Sequence, residues 1–265
     1  MGRDAASRPA VVAGALALLM GVSLALRVGA LNTGYWIDEG IAVGIASHDV
    51  ADIPRVLAQD GNPPLYYLLL HGWMELFGEG EAATRALSLV FALLAIPVSF
   101  WAGSAVFDRR AGALAAAGAA GSPFLTYYAQ ETRMYSLVVL LSILASASFV
   151  LAFVRGNRRH LPLLGLWLAL LLYTHTWGVF LTAAMALAWL MLWRKGAVPG
   201  RDGARLGAAL ALIYAPWVPT LISQAAHTAA PWAERPSPLL LLGIPGGLFG
   251  HFAVPLLALA VLAAL

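Results

Sequence analysis

The chain has 265 residues, of which 61% are hydrophobic and 11% charged, and its mean hydropathy is +0.80. A soluble domain needs far more polar residues to cover its surface, so this composition excludes an ordinary soluble enzyme. The net charge of +3 does not indicate a nucleic-acid-binding face, because the basic residues lie in short clusters between apolar runs. The absence of cysteine excludes disulfides, thiolate metal sites and a cysteine nucleophile.

Apolar runs recur along the whole chain, and a helix needs about 20 residues at 1.5 Å each to cross a bilayer. We therefore predict an all-α polytopic membrane protein with one transmembrane domain over residues 1–265. We expect the first run to be a span and not a cleaved signal peptide. Since the last run reaches Leu265 without a polar cap, we also expect a piece of a longer protein. The eight predicted helices, the last one incomplete, are 9–30, 83–106, 111–128, 132–154, 161–176, 178–193, 206–223 and 239–265.

The distribution of charge predicts the orientation, because excess Lys and Arg keep a connection in the cytoplasm. Segment 31–82 carries eight acidic residues against Arg55 as its one basic residue. We predict a plasma membrane protein with a cytoplasmic N-terminus and with 31–82 as a long external loop. The predicted cytoplasmic basic groups are Arg3 and Arg8, Arg109 and Arg110, Arg155, Arg158 and Arg159, and finally Arg194, Lys195, Arg201 and Arg205.

Two adjacent carboxylates, Asp38 and Glu39, stand just after the first span, behind Tyr35 and Trp36. Aromatic residues of this kind are typical of the membrane interface. The acids are candidates for a functional site. The alternative is a solvated acidic turn or a cap for a helix over 40–47 that lies on the bilayer.

A proline pair at positions 63 and 64 opens the next apolar stretch and predicts a helix of about 14 residues. This helix is too short to span, so we predict an interfacial or re-entrant helix that covers a site. It carries Tyr66, Tyr67 and His71. For His71 the alternative is an ordinary interfacial histidine.

Charged residues also lie beside the predicted external ends of other spans, namely Glu131 with Arg133, Arg85 and Arg27. Such groups cost a few kcal/mol each in lipid, so they must face water, protein or one another. For Glu131 and Arg133 the alternative is a local ion pair, and for the other two arginines it is snorkelling to the interface. His175 lies in a further external turn, for which an aromatic belt is the alternative.

Four segments taken together resemble the GT-C membrane glycosyltransferases of the RgtA/B/C/D-like, or protein-mannosyltransferase-like (family 39), group. The segments are 36–40, 62–71, 130–135 and 173–175, and the resemblance covers roughly residues 9 to 225. It implies a GT-C-type multi-span bundle with a long first extracytoplasmic loop that contains interfacial helices. The family commonly has His where this chain has Asn62, and Ala where it has Thr132.

The resemblance further implies inverting transfer of a hexosyl or pentosyl group from a polyprenyl-phosphate donor to an extracytoplasmic lipid, glycan or protein. Asp38 would be the catalytic base, supported by Glu39, while Arg85 and Arg133 would bind phosphate or brace the carboxylates. No cofactor or metal is expected to be required, although Asp38, Glu39 and Glu131 could hold a divalent ion if they meet in space. The other residues expected to bind substrate are Tyr66, Tyr67, Glu131, Asn62, His71 and His175.

Two other classes of protein remain as alternatives. A transporter or flippase of lipid-linked glycans predicts ionisable residues near the middle of spans and broken helices in related halves. A noncatalytic membrane scaffold predicts that Asp38 faces lipid or solvent away from any cavity.

Overall fold

The computed structural model describes residues 3–227 together with 243, 244, 246 and 250, and throughout residues 3–227 the regular elements are helices. A π-helical turn at Val150–Val154 prolongs the helix Tyr135–Phe149, and a 3₁₀ turn at Ala215–Trp217 joins the helices Gly200–Tyr214 and Val218–His227. The predicted helix 239–265 lies almost wholly outside the described residues. The helices are α1 Arg3–Arg27, α2 Ile37–Ala46, α3 Ile53–Asp60, α4 Leu65–Phe77, α5 Glu81–Val106, α6 Arg109–Gly121, α7 Pro123–Tyr128, α8 Tyr135–Phe149, α9 His160–Thr174, α10 Gly178–Arg194, α11 Gly200–Tyr214 and α12 Val218–His227.

Four helical segments of the described chain are long and apolar enough to cross a membrane: Pro9–Arg27, Glu81–Val106, Tyr135–Val154 and Gly200–His227. The first three agree with predicted spans to within about one turn of helix, and the fourth contains the predicted 206–223. The predicted pair at 161–176 and 178–193 also forms helices, α9 and α10, but these have only 15 and 17 residues. The all-α polytopic architecture is confirmed.

The prediction of one helix over 111–128 is wrong, because the helix is interrupted at Ser122. The Ser122 side chain accepts a hydrogen bond from the backbone N–H of Leu125 at 3.3 Å, as an N-cap does. Pro123 then occupies the first position of α7, where its missing N–H costs nothing. The 13 residues of α6 reach only about 20 Å, which is less than the hydrocarbon thickness.

Small residues allow α5 and α6 to pack closely. A Cβ atom at Gly103 would lie 2.8 Å from the Cα of Gly112, and one at Gly112 would lie 2.6 Å from the carbonyl oxygen of Phe100. Close backbone approach of this kind is a main source of helix association in lipid, where the hydrophobic effect does not drive helices together.

The segment between α1 and α5 folds over one end of the bundle, which we call the site end. Its helices α2 and α4 bury Ala42, Tyr66, Tyr67 and Leu70 completely. This confirms the predicted short helix after the proline pair. The helix α3 was not predicted; it ends where Gly61 adopts a left-handed φ of 105°.

The other end of the bundle, which we call the opposite end, carries the clusters of basic residues. There the side chain of Arg155 donates to the carbonyl of Val106 at 2.6 Å. Arg158 forms an ion pair with the buried Asp202 at the start of α11. These contacts connect three of the helical segments on the side away from the site end.

Candidate active site

The adjacent acids of the first turn of α2 have different surroundings. The Glu39 side chain is 1% exposed, whereas that of Asp38 is 39% exposed. Helix geometry separates neighbouring side chains by about 100°, so one carboxylate enters the protein and the other faces the surface. The sequence indicated both acids as candidates for a functional site, and the structure places them in different environments.

Glu39 is held as a buried carboxylate by three groups. Arg85 donates to both of its oxygens, Nε to Oε1 at 2.8 Å and Nη2 to Oε2 at 2.6 Å. The backbone N–H groups of Thr132 and Trp36 donate to the same carboxylate at 2.7 and 3.3 Å. Burial raises the pKa of Glu39, but these hydrogen bonds outweigh burial and lower the pKa below its usual value. Glu39 is therefore ionised.

Arg85 also organises the chain between α1 and α2. Its Nη1 donates to the carbonyls of Ala30, Leu31 and Thr33, and its Nη2 donates to that of Gly34. The side chain is 2% exposed. Of the two roles expected for Arg85, these contacts are those of a brace for Glu39 and residues 30–34. Its binding of substrate stays a prediction.

A buried row of hydroxyl groups connects α5 to the turn at 131–133. Thr84 pairs with Thr132 at 2.9 Å and with the Tyr35 hydroxyl at 2.8 Å. One turn further along α5, Ser88 donates to the carbonyl of Arg133 at 2.9 Å. Satisfied buried hydrogen bonds of this kind fix the turn that carries Glu131 and Arg133 relative to α2.

Arg133 lies beside Asp38, the more exposed of the two adjacent acids. Its Nη2 lies 3.8 Å from the Asp38 carboxylate, and its Nη1 donates to the Asp38 carbonyl at 3.3 Å. The Nε of Arg133 is buried and has no hydrogen-bond partner among the described residues. A buried guanidinium with an unused donor is suited to hold an anionic oxygen.

Glu131 is a second carboxyl group beside Arg133. Burial raises its pKa, and the charges of Glu39 and Asp38 raise it further, against lowering by the Tyr127 hydroxyl and by Arg133. The net result is a raised pKa. Its Oε2 is buried without a hydrogen-bond partner in the described part of the chain.

Tyr67 brings a third unpartnered polar atom to the group. Its side chain is completely buried, and its hydroxyl has no described hydrogen-bond partner. Burial raises its pKa, while the charge of Arg133 lowers it and those of Asp60 and Asp38 raise it. The ring of Tyr66 packs edge to face against the ring of Tyr67, with the centroids 5.8 Å apart. The Tyr66 hydroxyl itself pairs with Ser88 at 3.2 Å.

Asp60 belongs to this neighbourhood and was not singled out from the sequence. The side-chain amide of Asn62 donates to the Asp60 carboxylate at 3.1 Å, so the contact found for Asn62 orients this acid. The available signal was that Asp60 stands two residues before Asn62, with which one of the four recognised segments, 62–71, begins. Acidic residues are so frequent in segment 31–82 that sequence alone did not distinguish it.

His175 lies on the other side of Arg133. Its Nδ1 accepts the backbone N–H of Trp177 at 3.0 Å, and its ring lies 5.8 Å from that of Tyr135. Burial and the charge of Arg133 lower the pKa of His175 to about 4. The imidazole is therefore neutral at physiological pH, with its proton on Nε2.

His71 is placed apart from these residues. Its Nδ1 donates to the carbonyl of Ala46 at 2.8 Å, which joins α4 to the last turn of α2. Asp38 lies in the first turn of the same helix, about 12 Å away along its axis. This contact holds two helices of the segment together, and the binding of substrate by His71 stays a prediction.

Acidic, His and Cys side chains do not gather in groups of three or more that could hold a metal ion within the residues that the structure describes. Asp38, Glu39 and Glu131 are electrostatically coupled, but both Glu39 oxygens accept hydrogen bonds from Arg85. The expectation that no divalent ion is required stays a prediction.

Apolar spans with a carboxylate and guanidinium site at one end are the arrangement that the resemblance to GT-C membrane glycosyltransferases leads us to expect. The family described as dolichyl-phosphate-mannose-protein mannosyltransferase matches residues 61–220, and the chain belongs to this family. The match covers more than half of the chain and includes Arg85, Glu131, Arg133 and His175, whereas the acids at 38 and 39 precede it. No curated protein matches the chain.

Proposed function

We propose that this glycosyltransferase inverts the anomeric centre of the sugar that it transfers, with Asp38 as catalytic base. The donor is a polyprenyl-phosphate hexose or pentose, and mannose is the first sugar to test because of the family description. The acceptor is an extracytoplasmic lipid, glycan or protein. The observation that carries this proposal is the unequal pair of acids: Glu39 is engaged by Arg85, while Asp38 stays partly exposed beside Arg133.

The proposed reaction is a single displacement. Asp38 accepts the proton of the acceptor hydroxyl as its oxygen forms a bond to the anomeric carbon. The bond between that carbon and the phosphate oxygen breaks, and the electron pair leaves with the polyprenyl phosphate. A carboxylate within hydrogen-bond reach of the acceptor supplies general base catalysis, typically worth about 10² to 10⁴ in rate.

The departing phosphate needs positive charge and hydrogen-bond donors. Arg133 offers a guanidinium with an unused Nε, and Tyr67 offers a hydroxyl without a partner among the described residues. His175 adds an Nε2–H that its Nδ1 contact with Trp177 fixes as a donor. Donors that are already held in place stabilise developing charge without reorganisation during the reaction.

The distribution of buried charge supports a transferase over a transporter. The buried charged residues of the described chain lie near helix ends, and five of the six lie at the site end. A transporter would need such groups near the middle of its spans. The six residues are Arg27, Glu39, Arg85, Glu131, Arg133 and Asp202.

We propose that the site end faces the outside of the cytoplasmic membrane. The clusters of basic residues in the connections at the opposite end support this orientation through the positive-inside rule. The segment 31–82, with its excess of acidic residues, would then be extracytoplasmic. The variants Asp49→Cys and Arg159→Cys, both at exposed positions, test this orientation with a membrane-impermeant thiol reagent. Only the cysteine at position 49 should react in intact cells, and reaction at position 159 alone would overturn the orientation.

The function is tested by incubating the full-length protein in membranes with a panel of radiolabelled polyprenyl-phosphate sugars. We expect one sugar to move to an endogenous acceptor, and we expect its anomeric configuration in the product to be opposite to that in the donor. Retention of configuration would overturn the displacement mechanism. The absence of transfer from the whole panel would overturn the proposed function.

A further inference from the structure

A cleft of about 560 Å³ lies beside α7, next to the residues described above. This volume falls within the roughly 300 to 1,000 Å³ typical of small-molecule sites. None of the residues that line it is used in the proposed displacement. They are Pro123, Phe124, Tyr127, Tyr128, Ile244, Gly246 and Gly250.

Aromatic rings form one wall of this cleft, and the start of α7 holds them in place. Phe124 and Tyr128 stand one turn apart on the helix, with ring centroids at 4.6 Å, and Tyr127 meets Tyr128 edge to face at 5.1 Å. Tyr128 packs further against Tyr135 at 4.4 Å. The Tyr127 ring is nevertheless 61% exposed, so it presents an open aromatic face.

Glu131 does not itself line the cleft, but it contacts Tyr127, which does, and so connects that wall of the cleft to the proposed site. Its carboxyl group interacts with the Tyr127 hydroxyl, and it is coupled electrostatically to Arg133 and Asp38. Glu131 is more than nine-tenths buried, and its Oε2 has no partner in the described part of the chain. A buried carboxylate oxygen of this kind is a candidate to accept a hydrogen bond from a bound ligand.

We propose that this cleft binds a sugar ring of the acceptor, so that the acceptor is a glycan; this inference rests on the proposed function. A pyranose has an apolar C–H face, which packs on an aromatic ring, and a rim of hydroxyl groups. One face would lie on Tyr127, and a hydroxyl would donate to Glu131 Oε2. A neighbouring hydroxyl would then extend toward Asp38.

The lining favours a glycan over a hydrocarbon chain. A second cavity, of about 490 Å³, lies between α9, α10, α11 and α12 and is lined almost entirely by apolar side chains such as Leu168 and Leu210. A lipid tail gains as much from that surface as from the cleft, but it has no donor for the Glu131 oxygen beside Tyr127, whereas a sugar hydroxyl does. The cleft beside α7 is therefore assigned to the sugar.

Binding is measured on the full chain in nanodiscs without donor, by saturation-transfer NMR. The probes are soluble di- and trisaccharides of hexoses, heptoses and N-acetylhexosamines, and peptides with Ser and Thr. We expect signals from at least one saccharide. Tyr127→Ala should weaken its binding about tenfold, whereas Tyr127→Phe, which keeps the ring, should bind it to within about threefold of the wild type. Phe77→Ala, an exposed aromatic residue of α4 outside the cleft, is the control and should bind like the wild type.

Signals from the peptides alone, from no probe, or of equal strength in the wild type and Tyr127→Ala would overturn the inference. Transfer activity is measured separately, so the two failures are distinguishable. If the wild type transfers sugar and the Tyr127→Ala variant has the same KM for the acceptor, the binding of a glycan in the cleft is overturned, while the proposed function stands. Saccharide binding that depends on Tyr127, in a protein that transfers no sugar from any donor, overturns the proposed function instead.

Discussion

Arg85 holds both carboxylate oxygens of Glu39, at 2.8 and 2.6 Å, in a pair whose side chains are almost fully buried. The same guanidinium donates hydrogen bonds to four backbone carbonyls between α1 and α2. This arrangement fixes the first turn of α2 against α5. It thereby places the neighbouring Asp38 beside Arg133.

Glu39→Ala is expected to destabilise the protein by about 3 to 5 kcal/mol, because Arg85 would remain buried without a counter-charge. The measurement is the free energy of unfolding in mixed detergent micelles. Arg55→Ala is the matched control. It breaks an exposed pair with Asp52, at 2.9 Å, and should cost less than about 1 kcal/mol. Equal small losses in both variants would contradict the bracing role of the buried pair.

The raised pKa of Glu131 predicts a pH dependence of stability. The folded protein holds this proton more tightly than the unfolded chain, whose carboxyl titrates near 4.5. Its contribution to stability is therefore fully present below 4.5 and is lost as the pH rises through the higher folded pKa. Glu131→Gln should remove this loss and be at least as stable as the wild type at neutral pH. A steeper fall in the variant between about pH 4.5 and pH 7, measured by unfolding, would show that the sign is wrong.

Gly112→Leu should disrupt the contact between α5 and α6. Any Cβ at Gly112 meets Phe100 and Ser104, and a larger side chain must push the helices apart, at a cost of about 1 to 3 kcal/mol. Gly118→Leu is the control on the same helix, since a Cβ there meets nothing within 4 Å. Thermal unfolding of the two variants should differ clearly, and equal melting temperatures would contradict the close packing.

Several parts of the site could be predicted from sequence because they depend on local chemistry. The proline pair before Leu65 starts α4, and Asp38 and Glu39 occupy the first turn of a helix. The break at Ser122 had a local signal too, a Ser followed by Pro, but the apolar run across it outweighed that signal.

The pairing of Glu39 with Arg85 could not be predicted in the same way. These residues are 46 positions apart, and their contact depends on how residues 30–34 fold around the guanidinium. The burial of Tyr67 and the approach of Asp60 to it likewise depend on α2, α3 and α4 packing over the spans. Long-range packing decides these relationships, and no local pattern records it.

The pKa of about 4 for His175 predicts that its protonation does not affect donor binding between about pH 5 and pH 8. The KM for the polyprenyl-phosphate donor should show no histidine inflection in that range. His175→Ala should raise this KM about tenfold by removing the Nε2–H donor. An inflection near the ordinary histidine pKa that disappears in His175→Ala would contradict the neutral imidazole.

The most direct test of the central claim compares Asp38→Asn with Asp49→Asn in the membrane transfer assay. Asp49 is an exposed acid of the same segment, between α2 and α3, and serves as the matched control. We expect Asp38→Asn to fold and to lose about 10² to 10⁴ in the rate of sugar transfer, since the amide cannot accept the acceptor proton. Asp49→Asn should retain the wild-type rate. Transfer at the wild-type rate by a folded Asp38→Asn protein would contradict the account.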